Sequence, residues 1–312
     1  MTAPDPQRWP AIPVAGWQDT RDTLHLYTQV VGKIRLANEP LVNHWWNTTL
    51  YVTATGLTTS VMPHPAGRAF QIDFDFCDHR LDISTLDGAT RSLPLEDRSV
   101  AGFYEGVMSM LDELGLATTI WPVPVEIPDA IPFGDDRTHA RYDPDAVQRF
   151  WLALVEMQRV FNVFRARFVG KASPVHVFWG ALDLAYTRFS GRTAPAHPGG
   201  APNCGPHVMW EAYSHEVSSC GYWPGPPGEE GVFYAYAYPE PPGYRDAVVA
   251  PEGARWDDDL AEFVLPYELV RAADDPDVTL LAFLQATYEA AATTARWDRD
   301  SLERRNGADD HG

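Results

Sequence analysis

The chain has 312 residues, 45% of them hydrophobic and 12% aromatic, which is a globular composition with room for one large domain or two small ones. Its 24 basic and 43 acidic residues leave a net charge of −19, which repels phosphate backbones and argues against nucleic acid as a partner. No run approaches the ~18 apolar residues of a membrane span, and the first residues hold no apolar signal core. Three scattered cysteines (Cys77, Cys204, Cys220) make no disulfide framework. A cytoplasmic protein that binds no membrane is therefore expected.

Along the chain, Leu24, Tyr27, Val31 and Ile34 recur at helical spacing after the capping candidates Asp19 and Thr20, predicting a helix over 20–36. Strand signals follow at Thr49–Ala54. They are clearest at Phe70–Phe76, where Phe70, Ile72, Phe74 and Phe76 share one face, and His79–Ser84 is the hairpin partner. Asp73 and Asp75 on the other face read as a wet surface. Asp97 or Ser99 opens a second helix, which Gly115 is placed to end.

After the Pro-rich stretch 122–134, Asp143-Pro144 starts a helix whose apolar period runs to Phe168. Strands are expected near His176–Trp179, Leu182–Phe189, Val208–Tyr213, Val232–Tyr238 and Ala261–Leu265, then a helix over 278–297 and a frayed polar tail over 301–312. Runs of strands between helices give an α+β class, an antiparallel sheet packed against helices. Two halves, 1–140 and 141–300, repeat the order helix, strands, helix. Trp46 precedes His64-Pro65 by the same interval as Trp179 precedes His197-Pro198, so an internal repeat is one reading and two unrelated α+β layers the other.

Three clusters carry chemistry. In Cys204–Cys220 the groups His207, Glu211 and His215 are spaced by four, which sets them on one face of either a helix or a strand. Imidazole–carboxylate pairs suit proton transfer near neutral pH, so His215, Glu211 and Glu216 are the acid–base candidates. Cys204-x2-His207 and His215-x4-Cys220 also resemble paired zinc ligands, but the seven-residue hinge is short for a zinc site, and no metal is assigned. In the second cluster, His176 to Arg192, Asp183 stands in an apolar run where an unpaired carboxylate is costly. Its partner is Arg188, Arg192 or a ligand; on a straight strand Asp183 and Arg188 point to opposite faces.

The third cluster is Asn43-His44-Trp45-Trp46-Asn47, whose rings and amides can line a pocket. With Trp179, Asp183, Arg188 and Tyr213, the residues Asn43, His44 and Trp46 form the candidate ligand-binding set. Long Pro- and Gly-rich stretches bordered by aromatic residues, about 190–206, 221–231 and 239–257, are uncommon unless they cover a site. Asp257-Asp258-Asp259 and Asp274-Asp275 lack the spaced donors of a calcium loop and read as solvated faces and caps.

These same segments, Asn43-His-Trp-Trp46, Gly56–Thr59, Phe178–Arg192, Glu211–Ser219 and Tyr236–Pro241, resemble an uncharacterised, mostly bacterial family catalogued as domain of unknown function 5996. The resemblance covers nearly the whole chain. It implies a single-family architecture with no added domain, and it brings no activity or cofactor. Three functions stay open: a small-molecule-binding protein or enzyme, a non-catalytic interaction protein, and a metal-dependent hydrolase using His207, Glu211 and His215. Cofactor and oligomeric state are unspecified.

Overall fold

The computed structural model describes residues 8–12, 14–225 and 228–304. Helix α1 (Val14–Asn38) contains a break where Gly16 takes φ 90, and its regular part matches the helix expected from residue 20. It is buried on nearly every side (Trp17, Leu24, Tyr27, Val30, Val31, Ile34), as a helix must be that lies inside a core rather than on it.

The first sheet follows, with β1 (Tyr51–Val52), β2 (Gly56–Thr58), β3 (Met62–His64), β4 (Arg68–Asp75), β5 (Arg80–Thr85) and β6 (Thr90–Pro94). It is antiparallel in the order β1-β2-β4-β5-β6, with β3 also on β4. The alternation expected in β4 is present: Phe70, Ile72 and Phe74 are buried, while Gln71, Asp73 and Asp75 are partly open. Helix α2 (Val100–Glu113) is capped by Ser99, whose hydroxyl oxygen accepts from the Gly102 amide at 3.1 Å, and Gly115 takes φ 69 beyond its end.

The second half begins with α3 (Pro144–Ala166), capped by Asp143. Then come β7 (His176–Phe178), β8 (Asp183–Thr193), α4 (Pro206–Ala212), β9 (His215–Trp223), β10 (Val232–Tyr238), β11 (Arg255–Asp257) and β12 (Glu262–Pro266). Three helices close the described part of the chain: α5 (Tyr267–Arg271), α6 (Pro276–Thr294) and α7 (Arg299–Leu302). The second sheet is antiparallel in the order β11-β12-β10-β9-β8-β7, sequential from β7 to β10 with β12 rather than β11 beside β10.

The protein is thus an α+β fold with two antiparallel sheets against helices. The sheets meet where Leu50 and Val177 exchange backbone hydrogen bonds of 2.9 and 2.8 Å. That bridge pairs Leu50 with Val177 and not with Asp183, the residue that the tryptophan spacing would make its equivalent. The two halves differ in order: β1 to β6 run without a helix between them, whereas α4 separates β8 from β9.

Two expectations are corrected. Residues 208–213 are helix, not strand: Pro206 pre-forms a first turn and the chain coils as α4. The helix stops at Ala212 and His215 opens β9, so His207, Glu211 and His215 do not share one element's face. The tail is also ordered further than its polarity suggests. Leu302 accepts from the Val169 amide at 2.8 Å and the Arg304 amide donates to Arg167 at 2.9 Å, while residues 305–312 lie outside the described part.

The period of two splits the second sheet into faces of opposite character. Tyr186 and Arg188 of β8 and Cys220 and Tyr222 of β9 face the helices; the Tyr186 ring, for example, meets Phe164 of α3. Asp183, Ala185, Thr187 and Phe189 of β8 face the other way, as do Ser219, Tyr234, Tyr236 and Glu262 on the neighbouring strands. That second face looks into a cavity.

Candidate functional site

The cavity has a volume of about 800 Å³, the size of site that takes a drug-sized molecule. The second sheet forms its floor and α1, α4 and the segment 119–126 its walls. Rings dominate the lining, among them Trp46, Trp121, Trp179, Trp223 and Phe189. Among the described residues no His, Cys, Asp and Glu side chains converge in a group able to hold a metal ion.

Three carboxyl groups lie in this largely apolar space: Glu126, Asp183 and Glu262. The Tyr234 hydroxyl donates to Asp183 Oδ2 at 2.5 Å. The Tyr234 ring reaches it by lying across Gly221, where a Cβ would collide with the ring and with the Leu184 carbonyl oxygen. Glu126 rests on Gly180 in the same manner, its carboxylate occupying the place a Cβ would need. Two glycines thus make room in the cavity, Gly221 for the Tyr234 phenol that bonds Asp183 and Gly180 for the Glu126 carboxylate.

Burial disfavours the charged form of each acid. It raises Asp183 to about 6, against the opposing effect of the Tyr234 hydrogen bond. Glu126 rises to about 7 through burial and then through the Asp183 charge, and Glu262 to about 8 through burial, Asp183 and Asp257. None of the three forms an ion pair among the described residues, whereas other half-buried acids do: Glu216 pairs with Arg192, Glu230 with Arg271 and Glu156 with Arg159. Hydroxyls line the floor beside them, with Tyr213 and Tyr236 oxygens 2.9 Å apart and Thr187 and Ser219 oxygens 2.9 Å apart.

At the other end Lys33, on α1 and only 4% exposed, reaches the lining. Its Nζ lies 4.8 Å from the Trp121 ring centroid and 5.7 Å from that of Trp179, a cation–π arrangement. Burial lowers its pKa to about 8, and Cys204 is the neighbour that opposes the drop.

Helix α4 closes the top, held by a 3-10 turn at Asn43–Trp45. His44 and Trp45 both take left-handed backbone angles, φ 59 and 61, which is rare for bulky residues and turns both toward α4. The His44 amide donates to Glu211 Oε1 at 3.0 Å, His44 Nδ1 contacts the Ala212 carbonyl at 3.1 Å, and Trp45 Nε1 donates to the Val208 carbonyl at 2.8 Å. Lys171 Nζ lies 2.7 Å from His44 Nε2, which fixes Nδ1 as the protonated ring nitrogen.

Of the residues singled out in the sequence, His44, Trp46, Trp179, Asp183 and Tyr213 line the cavity. Asn43 starts the 3-10 turn and Glu211 binds α4 to it. His215 stands edge-on to His44, with its Nδ1 3.1 Å from the Ser214 hydroxyl. Glu216 is taken up by Arg192 and Ser190. Arg188 is 2% exposed on the helix-facing side, its guanidinium 3.5 Å from the Phe164 ring centroid and 4.2 Å from that of Tyr288, donating to the Phe164 carbonyl at 2.6 Å. An Asp183–Arg188 or Asp183–Arg192 ion pair, the expected neutraliser of Asp183, is not formed: Arg188 points away and Arg192 belongs to Glu216.

Lys33, Glu126 and Glu262 carry no site signal in the sequence, and Tyr234 carries one only as one of the aromatic residues that border the long loops. Tyr234 and Glu262 could have been found from strand alternation once the sheet order was known. Glu126 lies in the Pro-rich stretch, where no period signals direction.

A family model described as "Family of unknown function (DUF5996)" matches residues 9–304. No curated protein and no solved structure matches the chain.

Proposed function

The chain belongs to this family of unknown function, and from that premise, which assigns no chemistry, we propose that the cavity binds a small organic molecule and exchanges protons with it. The observation that carries the reading is the set of unpaired carboxyls in an aromatic cavity, with Asp183, Glu126 and Glu262 at about 6, 7 and 8. Groups that titrate near neutral pH are both donors and acceptors there, which is what general acid–base chemistry requires. His44 and Glu211 serve instead to seat α4 over the bound molecule. No helix among the described residues is long and apolar enough to cross a membrane, and three free thiols, Cys77 exposed among them, favour a reducing cytoplasm for this activity. The acidic surface disfavours nucleic acid as a partner.

Ligand-detected NMR with indole, a neutral aromatic probe, tests the cavity. Saturation transfer to indole is expected for the wild type and its loss for Ala181→Trp, which places a ring in the lining. Indole that binds neither protein, or both equally, would remove this function.

A further inference from the structure

Two anomalies share the cavity. Among the described residues the three carboxyls have no cation, although half-buried acids elsewhere pair with arginine. Lys33 has no anion: it is 4% exposed, reaches the lining and makes neither a hydrogen bond nor an ion pair among the described residues. Among the described residues Lys33 forms no ion pair with any of the three acids, although all four groups line the same cavity. Lys33 neighbours Cys204, Cys204 neighbours Glu126, Glu126 neighbours Asp183, and Asp183 neighbours Glu262. The cavity is therefore polarised: Lys33 stands beside Trp121 and Trp179, Asp183 and Glu262 gather about Tyr234, and Glu126 is seated on Gly180, next to Trp179.

A buried charge without a partner is costly, and a site of convergent unpaired groups recovers that cost when the ligand supplies the missing partner. Resting on the reading of the cavity as a ligand site, we propose that its ligand is dipolar: a molecule with a carboxylate that meets Lys33, a protonated amine that meets Asp183 and Glu262, and an apolar or aromatic body between them. The tryptophans suit such a body. The tyrosine rings suit the ammonium, because ring faces attract cations as those of Trp121 and Trp179 already attract Lys33. A purely cationic ligand would leave Lys33 unmatched and add a like charge near it. A purely anionic one would meet three acids.

Isothermal calorimetry with the α,ω-amino acids from 4-aminobutanoate to 8-aminooctanoate, and with hexylamine and hexanoate as single-charge controls, tests this. One chain length is expected to bind at least tenfold more tightly than either control. Lys33→Met should bring it down to the affinity of hexylamine, and an Asp183→Asn, Glu262→Gln double variant to that of hexanoate. Hexylamine binding as tightly as every amino acid, or Lys33→Met leaving the affinities unchanged, would overturn the dipolar ligand. So would weak binding of all these probes by a protein that still takes up indole. Failure of indole itself marks failure of the cavity reading beneath it.

Discussion

The Tyr234 hydroxyl meets Asp183 at 2.5 Å only because Gly221, between them on β9, has no side chain. Tyr234 and Gly221 are register partners on β10 and β9, and Ala185 of β8 follows Gly221 on the same row. One missing Cβ thus lets a residue from one strand reach past a second strand to a third.

Gly221→Ala should accordingly be among the more damaging single-atom changes in the chain. The added carbon meets the Tyr234 ring and the backbone oxygen of Leu184, and the oxygen cannot swing aside. A loss of about 2 kcal/mol or more, the upper range for overpacking, is expected in urea denaturation. A variant as stable as wild type would mean that Tyr234 does not lie across the glycine.

The cavity acids set the pH dependence of stability. Folding raises Glu262 to about 8 from an ordinary value of 4.5, so between these limits the folded protein holds a proton that the unfolded chain has released. Stability from this group is full below about pH 4.5 and falls as pH rises toward 8. Asp183 and Glu126 act in the same direction over narrower windows. Glu262→Gln removes the proton linkage, so its melting temperature should exceed that of wild type by more at pH 8.5 than at pH 5. The free-energy gap should open by about 4 kcal/mol between those pH values. Parallel melting curves across that range would count against burial of Glu262.

Asp183 and Arg188, five residues apart on β8, look on sequence like a buried ion pair, yet they occupy opposite faces of the sheet. Asp183 is bonded to Tyr234, and Arg188 is stacked among Phe164, Phe168 and Tyr288. Asp183→Asn should leave stability unchanged or raised at pH 8, because it strands no guanidinium. Arg188→Ala should cost about 3 kcal/mol or more by emptying an aromatic box. The double-mutant cycle decides: a coupling below about 0.5 kcal/mol is expected, and several kcal/mol would restore the pair.

What the sequence made legible follows from the range of each signal. Periodicity is local, and it located α3, β4 and β10 closely, with Asp143 as the α3 cap. It failed at α4, where seven residues are too few to separate the two periods and Pro206 favours the coil. The cavity was foreshadowed by Trp46, Trp179 and Asp183, each odd in its own segment. Lys33 was invisible because it occupies one turn of a helix whose apolar pattern passes on either side of it. Glu126 and Glu262 are unremarkable in sequence, being ordinary acids in a chain with net charge −19. Only tertiary placement removes their partners.

The thiols report on the same geometry. Cys77 is exposed, Cys204 half-buried on the cavity lining and Cys220 buried on the helix-facing side, where its Sγ lies 3.5 Å from the Tyr186 carbonyl. Cys204 and Cys220, the outer pair of the zinc-like spacing, are therefore on different faces of the second sheet and cannot ligate one ion without rearrangement. Burial also raises both thiols, Cys220 to about 12, so neither is a ready thiolate at neutral pH. Titration of the native protein with a disulfide reagent should give one fast equivalent from Cys77, a slower one from Cys204 and none from Cys220 until denaturant is added. A ligand in the cavity should slow the second step alone, because Cys204 is the one of the three thiols that lines it. Purified protein should carry less than one equivalent of zinc. A full equivalent, lost on Cys204→Ser together with His207→Ala, would show that Cys204 and His207 hold a metal and would redirect the function toward a metalloenzyme.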